Sequence, residues 1–272
     1  MQLSVIKKIR KYLRIYAILF RFGFIFSTTY RVSFFIELLV EIGYQIAFIL
    51  FYFVIFNNIK NIMGWNFYEI MFLTGLNIVT SELILGSLYI FNLRRLPEKI
   101  KNGDIDLILV KPINSLFYLS LGIPYFSAFV SIIPGILLMI YSYNRLNLPL
   151  NFFAALVSIF VLINGFILAF SFSIILSSLS FKYINTYTIP LIAEKIILYY
   201  KDRPHQVYQG ILKLVFFIII PVVFVSSIPS YILIKNIVWN YVMVSLFLSC
   251  IFFFIALKVW EIMIKNYTSA SS

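Results

Sequence analysis

Six apolar stretches, at about 32–56, 67–91, 116–141, 150–179, 211–234 and 237–260, dominate the chain. Each supplies the roughly 20 residues that a helix needs to cross about 30 Å of hydrocarbon. A water-soluble domain could not hide so much apolar surface, since 62% of the 272 residues are hydrophobic and only 12% are charged. The expected architecture is therefore an all-α integral membrane protein with six transmembrane helices in one domain, 32–260. Residues 1–31 and 261–272 flank it. Pro124 and Pro134 should kink the third stretch, because a proline removes a helical hydrogen bond. Pro221, Ser226, Ser227 and Pro229 break the fifth, which reads as a span followed by a short kinked or re-entrant element. In the fourth, Gly165, Ala169, Ser173 and Ser177 form a ladder of small side chains suited to close helix packing. Trp65 and Tyr68 sit where a headgroup aromatic belt is expected. Residues 181–210 read as a polar loop with an amphipathic stretch at 188–200.

The net charge of +12 does not point to nucleic acid once the charges are placed. Basic residues cluster beside the apolar runs, where they set orientation and meet anionic lipid. Eighteen fall in 1–31, the 92–115 loop, the 181–210 loop and the C-terminal end, against three (Lys60, Arg145, Lys235) in the remaining loops. By the positive-inside rule both termini are expected to be cytoplasmic. Within 1–31, Lys7, Arg10, Arg14 and Arg21 share one helical stripe, which reads as an interfacial amphipathic helix against lipid headgroups. Arg14 and Arg21 also interrupt the apolar part, so this is not expected to be a cleaved signal.

Few residues are available for catalysis. Cys250 and His205 are each the only one of their kind, which removes disulfides, paired-His metal sites and most His-based triads. Glu37 and Glu41 lie one helical turn apart in the first run, and Glu82 sits in the second. Carboxylates inside a bilayer are costly unless paired, hydrated or protonated. These three read either as structural partners for basic residues such as Arg31 or as the lining of a polar path. A proton-coupled secondary transporter centred on Glu41 and Glu82 is the alternative reading of the whole chain.

The loop between the second and third stretches, RRLPEKIKNGDIDLILVKPIN (94–114), carries the most specific pattern. Pro97 suits the first turn of a short helix, Glu98 favours its positive end, and Gly103 can close it in a left-handed conformation. Leu96 and Ile100 share an apolar face opposite Glu98, Lys99, Lys101 and Asn102.

Arg94, Leu96, Pro97, Glu98, Gly103, Asp106, Leu109, Pro112, Asn114, Leu116, Phe117 and Ser120 follow a spacing that resembles the signature of bacterial ABC-2-type transporter permeases. The basic N-terminus, the six spans and the Ser-Ala-Ser-Ser tail are similar to that family too, whereas Arg203-Pro204-His205 departs from its usual Tyr-Pro element. The resemblance implies a non-enzymatic permease subunit of an ATP-binding cassette exporter in the bacterial plasma (inner) membrane. It implies a coupling helix at Leu96 to Gly103, with Arg94, Ile100 and Asp106 around it, that docks on a dimer of cytoplasmic ATPase subunits. Motion would pass from there to the first three spans, and a second permease subunit, sibling or identical, would complete the path. No cofactor is expected in this chain, with ATP and magnesium on the partner. In keeping with this, no glycine precedes a lysine anywhere, so the phosphate-cradling loop of an ATPase is absent.

Overall fold

A computed structural model describes residues 2–84, 93–120, 122, 124, 126–182, 188–200 and 202–267. The expected end of the second span, Lys201 and the Ser-Ala-Ser-Ser tail lie outside them. The described chain is all helical, without a β-strand. In chain order the helices are α1 (Gln2–Thr29), α2 (Arg31–Asn58), α3 (Phe67–Leu83), α4 (Leu96–Lys101), α5 (Asp104–Leu109) and α6 (Ser115–Ser120). There follow α7 (Phe126–Leu146), α8 (Phe152–Ser178), α9 (Thr188–Tyr200), α10 (Ile211–Leu214), α11 (Ser227–Ile234) and α12 (Trp239–Lys265). Among the described residues four helical segments, Arg31–Asn58, Phe126–Leu146, Phe152–Phe181 and Trp239–Lys265, are long and apolar enough to cross a membrane.

Two helix pairs dominate the packing, α3 with α7 and α8 with α12. The first pair crosses where Gly75 meets Gly135: a Cβ on Gly75 would come within 2.8 Å of the Gly135 carbonyl oxygen, and one on Gly135 within 2.9 Å of that of Gly75. The absence of side chains lets the two backbones approach. In the second pair Asn164 of α8 bridges two serines of α12, donating to Ser245 Oγ at 3.4 Å and accepting from Ser249 Oγ at 3.0 Å. These bonds satisfy a buried amide that apolar surroundings could not.

One end of the bundle is closed around Trp65. This residue was expected at a headgroup belt, yet it is fully buried. Its indole Nε1 donates to Gln206 Oε1 at 2.9 Å, and Lys235 Nζ sits 5.3 Å over its ring and 3.2 Å from Glu69 Oε2. Glu69 also completes a capping box with Asn66 at the start of α3.

These contacts correct the expected fifth span. Residues just before the 211–234 run (Gln206) and just after it (Lys235) both meet Trp65, so the run leaves and regains the same end of the bundle. It is a hairpin: α10 continues into a π-helical turn, Val215–Ile219, and Val222–Phe224 forms a 3-10 turn at the tip. There the backbone of Phe224 presses on Gly165 of α8, and α11 returns. Pro221 is the physical reason, since it cannot continue the helix that precedes it, while Pro229 falls in the first turn of α11, where its missing N–H is tolerated. Residues 188–200, read from sequence as part of a polar loop, form the helix α9, which packs on α8. Asp202, just beyond α9, accepts a 3.5 Å bond at its carbonyl from the Tyr52 hydroxyl, close to the Trp65 end.

At the other end, α1 lies along the 112–129 segment instead of standing alone. Tyr12 and Phe117 rings meet edge to face at 4.6 Å, Phe20 and Phe24 contact Phe126, and Lys11 Nζ donates to the Pro112 carbonyl at 2.7 Å. Lys7, Arg10, Arg14 and Arg21 remain exposed, so the basic stripe faces away from the protein.

Candidate functional site

The handle formed by α4, α5 and α6 owes its shape to local sequence. Pro97 stands in the first turn of α4, where a missing N–H costs nothing. Glu98 lies in that first turn and Lys99 and Lys101 in the last, each complementing the helix dipole. Gly103 then adopts φ +76°, a left-handed conformation that favours glycine. It turns the chain into α5, whose first turn carries Asp104 and Asp106. Asn114 caps α6 by accepting the Phe117 amide at 3.0 Å.

The handle has an inside and an outside. Leu96, Pro97, Ile100, Ile105 and Ile108 are buried. They share a core with Ala169 and Ile174 of α8, Phe181 just after it, Ile197 of α9 and Trp260 of α12. The same core holds Ile84 at the end of α3 and Leu116 and Leu119 of α6, so the handle packs on the later helices as well as on the two stretches that it joins. Outside, Arg95, Glu98, Lys101, Asn102 and Asp104 are exposed, next to Leu107 at 67% and Val110 at 80% exposure. Burial and the neighbouring Arg95 push the Lys99 ammonium below its usual value.

Arg94, Leu96, Pro97, Glu98, Ile100, Gly103 and Asp106 thus lie together on α4, the start of α5 and the residues beside them. Sequence reading missed their partner across the bundle: Arg94 Nη1 lies 3.5 Å from Glu194 Oε1 of α9. Glu194 belongs to an amphipathic stretch, which was the available signal, but nothing local announces its pairing with a residue 100 positions away.

The membrane carboxylates sit elsewhere. Glu37 and Glu41 are half-buried on α2, and Glu82 is buried on α3. Glu37 Oε2 accepts from Ser127 Oγ at 3.3 Å and Gln45, two turns on, donates to the Ser131 carbonyl at 3.3 Å, so this stripe of α2 seams onto α7. No group of three or more His, Cys, Asp or Glu able to hold a metal occurs among the described residues. A cavity between α8, α9 and the hairpin, lined by residues such as Leu168, Ile197 and Pro221, is apolar and about 10 Å³. That is room for about one water, not for cargo.

No curated protein and no solved structure matches the chain. The family model described as ABC-2 family transporter protein matches residues 42–271, from the middle of α2 through the handle, the hairpin and α12. With most of the helical body covered by that match, the chain belongs to the ABC-2 family of transporter membrane proteins.

Proposed function

We propose that this permease subunit is half of a dimeric transmembrane domain that exports its cargo, moved by two cytoplasmic ATPase subunits docked on α4 and α5. ABC-2 family membership implies association with an ATP-binding cassette ATPase in general terms. The observation that carries the finer reading is the division of the handle, with Leu96 and Ile100 seated in the bundle core and Glu98, Lys101, Leu107 and Val110 turned outward. An exposed rim of charge around apolar side chains suits docking of a folded partner. A helix fixed by its buried face passes a push on its outer face directly to whatever it is seated on.

In this reading α2, α3, α7, α8 and α12 each cross the bacterial inner membrane, the shorter α9 makes a sixth passage together with the segments that flank it, and both termini lie on the handle side in the cytoplasm. The hairpin 211–234 enters and leaves from the outside. ATP binding closes the ATPases, the handle shifts α8, α9 and α12, and the path shared with the second permease, sibling or identical, opens outward. ATP and magnesium stay on the partner. Lipid meets the outer faces of α2, α8 and α12 and the basic stripe of α1.

The test is recovery of the complex from detergent. Pro97→Ala combined with Glu98→Lys should abolish co-purification of an ATPase bearing a phosphate-binding loop, while the chain still inserts in the membrane. Undiminished recovery of that ATPase would remove the docking role from α4.

A further inference from the structure

We propose that Arg94 and Glu194 form the strut by which the handle moves α9, and that α9 delivers this motion to the hairpin at the far end. The inference rests on the docking reading of 94–106 and deepens it by naming the receiving residue.

Glu194 is hard to explain otherwise. Its side chain is only 12% exposed while Arg94 retains 41%, and its second oxygen, Oε2, is buried without a hydrogen-bond partner among the described residues. A carboxylate in such a place costs several kcal/mol unless a cation compensates it. A better-packed apolar residue would serve stability at least as well. What the ion pair adds is a directional link between two elements. Ile197, three residues on and hence on the same side of α9, shares its core with Leu96 and Ile100. The salt link thus joins α9 to the residue just before α4, beside a core that both helices enter.

The far end of α9 is tied in turn to the hairpin. His205 N donates to Ser227 Oγ at 2.7 Å, at the start of α11. Its ring stands 5.0 Å from that of Tyr231 in α11 and 5.2 Å from that of Tyr241 in α12. From Glu194 to Tyr200 the connection is helix, which resists compression along its axis. Tyr52 and Trp65 hold the Asp202–Gln206 loop against α2 and the 59–66 turn, giving the lever a fulcrum. A shift of α4 therefore becomes a tilt of the hairpin against Gly165, where its tip already touches α8 with no space between.

The experiment uses the full chain with its co-purified ATPase, in a Cys250→Ser background, with spin labels at Leu150→Cys and Gln209→Cys. Both native residues are exposed, and they mark the start of α8 and the root of the hairpin. Pulsed dipolar spectroscopy compares the nucleotide-free state with the ATP–vanadate-arrested state. The unaltered pair should change its distance between the two states, Glu194→Gln and Arg94→Gln should each lose the change, and the exchanged pair Arg94→Glu with Glu194→Arg should regain it. A group that merely stabilised the fold would not gate a nucleotide response in this way. Retention of the full change in Glu194→Gln overturns the strut, whatever the exchanged pair does, and so does a fixed distance in the unaltered chain. If instead no ATPase co-purifies with the unaltered chain, the docking reading itself fails.

Discussion

Trp65 Nε1 donates to Gln206 Oε1 at 2.9 Å, joining loops 141 residues apart. Because the 59–66 turn connects α2 to α3 at one end of the bundle, this single bond fixes residues after α9 at that same end. The first expected outcome is topological. In a Cys250→Ser background, cysteines at Asn58 and Gln209 should react with a membrane-impermeant maleimide from outside intact cells, and one at Asn102 only after permeabilisation. Protection of Gln209 from outside would restore a simple crossing at 211–234 and exclude α9 as one.

Trp65→Phe keeps the apolar bulk but removes the donor, stranding the half-buried side-chain carbonyl of Gln206. The loss should be about 1–2 kcal/mol, with a further few tenths from a weaker seat for the Lys235 ammonium. Thermal unfolding of the detergent-purified chain reads it. An unchanged midpoint would mean that the clasp is ornamental.

His205 is 3% exposed and ringed by Phe217, Tyr231 and Tyr241. Burial, helped by the ammonium groups of Lys213 and Lys235, lowers its pKa to about 4. The folded protein therefore keeps the ring neutral while the unfolded chain takes up a proton below about pH 6.5. Stability should fall as pH drops from there toward 4, by about 2 kcal/mol between pH 7.5 and 5. His205→Gln should flatten that slope in thermal unfolding scans across pH; an unaltered slope would place the titrating group elsewhere.

Gly75 and Gly135 leave no room for a side chain between α3 and α7. Gly75→Leu should overpack the crossing and cost about 1–3 kcal/mol, whereas Gly43→Leu on α2, where a Cβ meets nothing within 4 Å, should be close to neutral. Comparing the two thermal midpoints checks it. Equal effects would show that lipid, and not the α3–α7 contact, sets the stability.

Apolar length alone made α2, α7, α8 and α12 legible, and the pairing of Pro97 with Gly103 announced the short helix between α3 and α7. The same criterion misled at 188–200 and 211–234. Glu194 and Lys195 make α9 look like a surface element, because a sequence cannot reveal that Arg94 meets Glu194 from another segment. Conversely, the run from Ile211 to Ile234 is apolar enough to span. Its hydropathy carries no information about direction, which Pro221 reverses. The two serines of α12 that meet Asn164 were likewise illegible, since they lie more than 80 residues away. Glu37 was open between pairing with a basic residue and a polar path, and its bond from Ser127 on α7 was not legible at all. The burial of Leu96 and Ile100 was expected, but not where they are buried.

That seat has a consequence for anyone recombining such proteins. The loop from 93 to 120 looks like a portable module, bounded by spans and recognisable by its own residues. Yet its keel is shaped to fit Ala169, Ile174, Phe181, Ile197 and Trp260, which lie in the later half of the chain. Grafting the loop between relatives would move the key without the lock; a working transplant has to carry the facing parts of α8, α9 and α12 along with it.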